Sequence, residues 1–501
     1  MEDPISSGRP ILTRQRREPM RKALRFCVLA AMLAASLGHA VIEDIEAAAL
    51  PDTPAGRQLG DLLKAMESGD YENYITSSFN DEFLNAFPME EHLRFFEDVR
   101  AMHGGFIVHS IEESEDFRMA VLAKSKKREA WRRIDMEVEP EPPHKVASFG
   151  IDMARSPDQA MEAPEANTET EVLDYAKRTL ADMTEEGKFS GAVLIAKDGL
   201  PLFRRAYGEA SKEFGVPNRP DTKFNIGSIN KSFTSVAIAQ LLEKGMIALD
   251  DRIGKHLPDL PDGWGEKITI RHLLTMRSGL GHYWNEKWRS KLTQIKTVDD
   301  LMEIVVDGGL EFEPGTNKRY SNSGYVVLGA IIEEVTGQSY YDYVRENVYA
   351  PAGMENTDSY ELDQIVPNVA RGYTANRSQT PYRGEDLQNN LFLHSVKGSP
   401  AGGGYSTVDD MNRYVEALKA DVLAGEKYTN MVLGMFENAD DPTERPEGIG
   451  IAGGANVGIN ATVEADFKSG YTVVVLSNYD PPVAEEIGIR LMKMLLKATA
   501  E

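Results

Sequence analysis

Residues 224–245 read FNIGSINKSFTSVAIAQLLEKG, a polar turn that runs into an apolar segment closed by a glycine. The apolar side chains after Ser228 recur at helical spacing, and Gly245 lies where helices commonly end, so we predict a buried helix that Ser228 opens. Lys231 follows three positions later, on the same helix face, with Cβ atoms about 5–6 Å apart. The helix N-terminus favours an anion at this point, and burial lowers the pKa of a lysine toward neutrality. The stretch predicts a nucleophilic serine with a lysine base, but a capping serine before an exposed lysine gives the same pattern.

Strand-like runs lie at both ends of the larger part of the chain, residues 172–501. Near its start, residues 190–196 and 202–207 flank an Asp-Gly turn. Near its end, residues 461–467 and 471–477 flank a Ser-Gly turn and precede an amphipathic helix. The intervening pattern is mostly helix and loop. We therefore predict an α/β (α+β) fold, in which the two chain ends build one antiparallel sheet and a helical insertion covers a face of it.

Two further polar clusters lie beside predicted elements. The segment Tyr320-Ser321-Asn322 leads into an apolar helix. Tyr320 is a candidate proton relay, because a nearby ammonium lowers the pKa of a phenol. The side-chain amide of Asn322 offers both a hydrogen-bond donor and an acceptor. Residues 448–458 read GIGIAGGANVG just before the C-terminal strands, and glycines there let a ligand approach the backbone of an edge strand. The alternatives are a turn tyrosine, a capping asparagine and a flexible loop.

The chain resembles the serine β-lactamase and penicillin-binding-protein superfamily. The resemblance rests on three elements that follow one another along the chain: the S-x-x-K element at Ser228, the Tyr-x-Asn element at Tyr320 and the glycine-rich strand. The chain looks most like the esterase and class C-type branch of that superfamily. The resemblance covers about residues 172–498, and it includes the Ser278-Gly279-Leu280 and Pro400–Ser406 segments.

The resemblance implies a serine hydrolase that forms an acyl-enzyme, with no metal and no organic cofactor. Ser228 is then the nucleophile, and Lys231 and Tyr320 share the general-base and general-acid duties. Asn322 helps to bind substrate and to position Lys231. The glycine-rich strand, at Gly453, Gly454 and Ala455, binds substrate, and the oxyanion hole combines the Ser228 N–H with one near Gly454 or Ala455.

The glycine-rich strand departs from the family pattern in one respect. The family usually has Lys or His followed by small residues and glycine, whereas this chain has Ala452-Gly453-Gly454. Because a cation there holds the carboxylate of a β-lactam or a stem peptide, its absence favours an ester or amide with a neutral or small acyl group. A D-amino-acid peptidase or carboxypeptidase, a weak β-lactamase and a non-enzymatic protein that binds peptidoglycan or a partner remain as alternatives. Thr275-Met276-Arg277-Ser278 also departs from the usual Thr-His-Thr-Ser, with no assignable effect.

Residues 53–154 are predicted to form a separate α+β unit. Helical spacing comes first, and four strand-like runs follow, an order that resembles the cone-shaped ketosteroid-isomerase-like fold. No motif there carries chemistry, so a scaffold or docking role is the simplest expectation. Residues 155–171 contain prolines and acids with little to bury, and they are predicted to be a linker.

The first forty residues are predicted to be a secretory signal peptide, because a basic run precedes about a dozen apolar residues and small residues at Gly38 and Ala40. We therefore expect an exported protein, periplasmic or secreted, with no membrane segment after cleavage. The chain has 55 Lys and Arg against 79 Asp and Glu, a formal charge of −24, which argues against nucleic acid as a partner. The expected partner is a small ester, amide or peptide substrate. The sequence leaves the oligomeric state open.

Overall fold

The computed structural model describes residues 48–85, 89–127, 131–154, 165–261, 263–374, 387–455 and 457–499. The predicted signal peptide, residues 1–40, lies outside the described residues, as does most of the predicted linker. No described helix is both long and apolar enough to cross a bilayer.

The segment up to residue 154 places its helices before its strands. The helices are α1 (Pro54–Ser68), α2 (Tyr71–Ser78), α3 (Asp81–Asn85) and α4 (Met89–His103). The strands are β1 (Phe106–Ser114), β2 (Arg118–Ser125), β3 (Trp131–Val138) and β4 (Val146–Ala154). The strands pair antiparallel in chain order, and apolar residues of the helices and strands form one core cluster. The order of elements is the predicted one, and the resemblance to a cone-shaped fold stays a prediction.

From residue 169 onward, the strands are concentrated toward the two ends of the segment. They are β5 (Gly191–Lys197), β6 (Leu200–Tyr207), β7 (Glu209–Ser211), β8 (Val216–Pro217), β9 (Phe224–Asn225), β10 (Tyr373–Thr374), β11 (Gln388–Asn389), β12 (Tyr405–Ser406), β13 (Gly448–Ala455), β14 (Ile459–Asp466) and β15 (Tyr471–Ser477). The helices are α5 (Glu169–Glu185), α6 (Asn230–Glu243), α7 (Trp264–Lys267), α8 (Ile270–Leu274), α9 (Glu286–Lys291), α10 (Val298–Asp307), α11 (Asn322–Thr336), α12 (Tyr340–Val344), α13 (Val408–Lys419), α14 (Glu426–Leu433) and α15 (Val483–Ala498). Short 3-10 turns cover Gly227–Ile229 and Ile253–Lys255, and a π-helical turn covers Arg345–Tyr349.

One five-stranded antiparallel sheet joins the two ends of this segment, in the order β13-β14-β15-β5-β6. The contact between the ends is the pairing of β15 with β5, in which Val474 lies opposite Leu194. The predicted sheet and its helical insertion are therefore confirmed.

The alternation of side chains along these strands gives the sheet two apolar faces. Leu194 and Val474 belong to the core shared with the helical insertion, whereas Ile195 and Val475 pack with α5 and α15. The sheet is thus covered on both faces, which explains why every residue of β15 is buried. The edge strand β13 remains beside the turn that carries Ser228, and this position builds the site.

Candidate active site

Ser228 lies in a 3-10 turn directly before α6, at the helix N-terminus that the sequence predicts. The turn is held on one side by β9, which pairs with β12. On the other side β13 passes so closely that a Cβ atom at Gly453 would lie 2.8 Å from the Ser228 nitrogen and would overlap the Ile226 carbonyl oxygen. The glycine of β13 therefore permits contact between the strand and the serine turn.

Lys231 is the second residue of α6, three positions after Ser228, and is 7% exposed. Helix α6 is buried from Asn230 to Leu241 except at Ser232, so its polar side chains in this range, apart from Ser232, lie inside the protein. The Lys231 Nζ atom donates to the Ser228 Oγ atom at 3.3 Å, to the Asn322 Oδ1 atom at 2.6 Å and to the Ala401 carbonyl oxygen. Burial lowers the pKa of Lys231 to about 7. A large fraction of this amine is therefore neutral near pH 7.

Tyr320 reaches the serine from the opposite wall. Its hydroxyl lies 2.7 Å from the Ser228 Oγ atom, and the Lys231 Nζ atom lies 4.8 Å from the centre of its ring. Although 47% of the residue is exposed, desolvation of the hydroxyl raises the pKa of Tyr320, and the hydrogen bond to Ser228 opposes this only in part. The expectation of an acidified phenol is wrong, because desolvation shifts the pKa of Tyr320 upward and not downward. Tyr320 is a protonated phenol in the resting site.

Asn322 is the first residue of α11 and is 3% exposed. The cap of this helix is Ser321, whose side chain accepts from the Gly324 N–H, so the Asn322 amide is free for other partners. Its oxygen accepts from Lys231, and its nitrogen lies 3.2 Å from the Nδ1 atom of His282. The structure thus brings Ser228, Lys231, Tyr320 and Asn322 into one connected group.

Met276, at the position where the family usually has His, holds the loop that carries Tyr320. Its backbone is left-handed, with φ +59°. Its carbonyl oxygen accepts from the Arg319 N–H at 2.9 Å, and its Sδ atom accepts from the Ser321 N–H at 3.4 Å. Met276 therefore binds the residues on both sides of Tyr320, a role that the sequence did not reveal.

An aromatic shelf, formed by His282, Trp284 and Tyr320, lies beside the serine. The His282 and Trp284 rings stack at 5.3 Å with 14° between their planes, and the His282 and Tyr320 rings lie 5.9 Å apart. Trp284 is 47% exposed, and His282 also keeps an exposed face. Desolvation of its ring nitrogens, followed by the nearby charges of Arg319 and Lys231, lowers the pKa of His282 to about 4. Sequence reasoning missed this shelf, whose only signal was the His-Tyr-Trp run after Ser278-Gly279-Leu280-Gly281.

The third sequence element lies on the edge strand β13. Gly453 and Gly454 pair with Ala461 and Asn460 of β14, and the backbone of Ala455 continues the same strand. Ala452 is exposed and lies opposite Thr462, so a methyl group stands where the family usually has a cation. In the described part of the chain, no group of three or more His, Cys, Asp or Glu side chains could hold a metal ion.

The sequence profile of the β-lactamase family matches residues 176–494. Among curated proteins, penicillin-binding protein 4* of Bacillus subtilis (strain 168) is 32% identical over 247 residues, which are 47% of this chain and 54% of that protein. The teichoic acid D-alanine hydrolase of Staphylococcus aureus is 28% identical over 256 residues, 51% of this chain and 61% of that protein. The chain thus spans less than two thirds of the length of these relatives.

A solved structure shows the same fold over the same region. The crystal structure of a penicillin-binding protein from Bacillus halodurans superposes with a TM-score of 0.54 at 27% identity, over 62% of this chain and 96% of that chain.

Proposed function

Because the chain belongs to the β-lactamase family, we propose that it is a serine hydrolase that acts on an ester or amide through an acyl-enzyme. One observation carries the proposal: a buried amine with a pKa of about 7 lies 3.3 Å from the hydroxyl of Ser228. A base with a pKa near the working pH is the most effective general base. Ser228 is the nucleophile, and Lys231 is the base that activates it.

The raised pKa of Tyr320 decides how the two proton carriers divide the work. The neutral amine of Lys231 takes the proton of Ser228 as the Oγ atom bonds to the substrate carbonyl carbon. The protonated phenol of Tyr320, 2.7 Å from the same oxygen, then donates to the leaving group as its bond to carbon breaks. Lys231 returns its proton to the phenolate. A water molecule repeats these steps in reverse to release the acid from Ser228.

The oxyanion formed during attack needs donors that are fixed before the reaction starts. The Ser228 N–H lies in the 3-10 turn directly before α6, and β13 contacts the same turn through Gly453. We assign the second donor to the backbone of Gly454 or Ala455 on this strand.

The substrate group beside the serine is uncharged. Two observations support this choice: Ala452 supplies no cation to a substrate carboxylate, and the aromatic shelf offers exposed ring faces. Flat apolar groups pack well on such faces. An esterase-like activity fits these features better than a D,D-peptidase, a carboxypeptidase or a β-lactamase activity does.

Hydrolysis of a D-alanyl ester is the second candidate, because a relative at 28% identity is named a teichoic acid D-alanine hydrolase. The carboxyl group of this substrate is blocked as an ester and its acyl group is small, so it has no carboxylate that would need a cation at position 452, although its amine is charged. A non-catalytic binding role would leave the arrangement of Lys231, Ser228 and Tyr320 without a use.

Export completes the proposal. Residues 1–40 act as a cleaved signal peptide, and residues 53–154 form a scaffold or docking unit. Detection of a chain that begins near residue 41 in the periplasm or culture medium would support export, and a full-length cytoplasmic product would contradict it.

The activity is tested on the purified chain and its Ser228→Ala variant. Both are incubated with a fluorophosphonate probe and with four substrates: a short-chain nitrophenyl ester, a D-alanyl ester, a chromogenic cephalosporin and a peptide ending in D-Ala-D-Ala. We expect labelling and fastest turnover of an ester by the parent chain, and neither by the variant.

Labelling that persists in Ser228→Ala would overturn the assignment of the nucleophile. Faster turnover of the cephalosporin or the peptide would overturn the substrate class. No labelling and no turnover in the parent chain would favour the binding role.

A further inference from the structure

The side chain of His282, which was not among the predicted site residues, contacts the side-chain amide of Asn322. The amide orientation of Asn322 follows from its partner, because a lysine amine donates and the Asn322 atom that faces Lys231 at 2.6 Å is the oxygen. The amide nitrogen of Asn322 consequently faces the Nδ1 atom of His282 at 3.2 Å and can only donate.

This contact requires a particular form of the imidazole. Nδ1 accepts a hydrogen bond only if the ring is neutral and its single proton lies on Nε2, since a protonated ring would place two donors against each other. The surroundings favour the neutral ring: desolvation of the ring and the positive charge of Arg319 both disfavour its protonated form, and Trp284 stacks on it. The ion pair of Arg319 with Glu311 at 2.8 Å reduces the effect of Arg319 but leaves it cationic.

We propose that His282 is a positioning residue that fixes the side-chain amide of Asn322, so that the amide oxygen, and not its nitrogen, faces Lys231. Without an acceptor at Nδ1, the buried amide nitrogen has no partner there, and rotation of the amide becomes favourable. A rotated amide turns its NH2 group toward Lys231 and donates to the lone pair that the amine needs to take the proton of Ser228. His282 thus keeps the base available without touching the substrate carbonyl or the nucleophile.

The inference rests on the proposed function, because it gives His282 a role in the same reaction. Two variants separate its hydrogen bond from its ring. His282→Phe keeps a ring that can stack on Trp284 but has no acceptor. His282→Asn loses the ring but offers an oxygen near the position of Nδ1. His109→Phe is the matched control, since His109 also packs on a tryptophan, with its ring 5.2 Å from that of Trp131 in the first segment.

Ester hydrolysis by the full chain gives the first readout. We expect kcat to fall about tenfold or more in His282→Phe, with KM changed by less than about threefold, and to return to within about threefold of the parent in His282→Asn. His109→Phe should match the parent. Equal loss in both His282 variants would show that the ring matters rather than the acceptor and would overturn the proposal. An unchanged His282→Phe would also overturn it.

A second readout does not depend on turnover. The titration of Lys231 can be followed by NMR in a chain that carries 13C at the ε position of lysine, with Lys231→Met to assign the signal. Loss of a well-placed acceptor removes a hydrogen bond to the ammonium, so the titration midpoint of Lys231 should drop by about one pH unit in His282→Phe but not in His282→Asn. Unchanged midpoints in both variants would overturn the proposal even if the parent chain hydrolyses none of the substrates. Absence of turnover with the expected shift would instead refute only the proposed function.

Discussion

Substitution of Gly453 by alanine tests the close approach of β13 to the catalytic turn. The added Cβ atom would lie 2.8 Å from the Ser228 nitrogen and would overlap the Ile226 carbonyl oxygen. Because a carbon needs about 3.5 Å to a neighbouring heavy atom, the strand and the turn must separate by roughly 1 Å. A misplacement of this size can cost about a hundredfold in rate, so we expect kcat to fall by about that factor.

Gly450→Ala is the matched control on the same strand. Its Cβ atom meets only the end of the Glu464 side chain at 2.9 Å, and a side chain can move aside more easily than a backbone. The assay is the rate of fluorophosphonate labelling together with ester turnover, with thermal unfolding of each variant to confirm that it is folded. A folded Gly453→Ala variant with the parent rate would refute the argument that β13 shapes the oxyanion hole.

Three further predictions concern the lysine base and the tyrosine loop. The pKa of about 7 for Lys231 predicts that kcat/KM rises about tenfold per pH unit below pH 7 and levels off above pH 7. A pH–rate profile that is flat from pH 5 to 9 would contradict the assignment of Lys231 as the general base. Because the pKa of Lys231 is about 7 in the folded state and the ordinary value is 10.5, the folded state loses stability as pH falls from about 10.5 to 7, and this loss is complete below pH 7. In denaturant titrations, the free energy of unfolding of the parent relative to Lys231→Met should therefore rise by roughly 3 kcal/mol between pH 7 and pH 10. A difference that does not change with pH would count against a neutral buried amine. Met276→Leu removes the sulfur that accepts a hydrogen bond from the Ser321 N–H but keeps the carbonyl oxygen that accepts from the Arg319 N–H. We expect kcat to fall about two- to fivefold with an unchanged KM. A kcat equal to that of the parent would show that the sulfur does not help to place Tyr320.

The parts of the fold that follow local patterns could be predicted from the sequence. The Asp-Gly turn between β5 and β6 and the Ser-Gly turn between β14 and β15, each flanked by strand-like runs, indicated strands, and their position at both ends of the segment indicated one sheet. The three-residue spacing of Ser228 and Lys231 indicated a shared helix face. Tyr320 and Asn322 were candidates because they precede a predicted helix, but only the family resemblance associated them with Ser228, since nothing local brings them to a helix about ninety residues earlier in the chain.

The features that were missed depend on packing between distant segments. The direction of the pKa change at Tyr320 follows from desolvation, which cannot be judged before the surrounding walls are known. The hydrogen bond between His282 and Asn322 joins residues 40 positions apart, and the contact of Met276 with Ser321 joins residues 45 positions apart. The sequence around a methionine or a histidine does not indicate which distant residue will form a hydrogen bond with its side chain.

The pairing of β15 with β5 also governs when the site can form. The Ser477 side chain donates to the Ser190 carbonyl oxygen across 287 positions of sequence, so the sheet cannot close until β15 has been synthesised. Such long-range closure is slow compared with the formation of helices. A nascent chain that carries Ser228 and Lys231 but has not yet reached β13 lacks the strand that contacts the serine turn. We therefore expect a chain that ends before β13 to be acylated poorly at Ser228, because the strand that contacts the serine turn is missing.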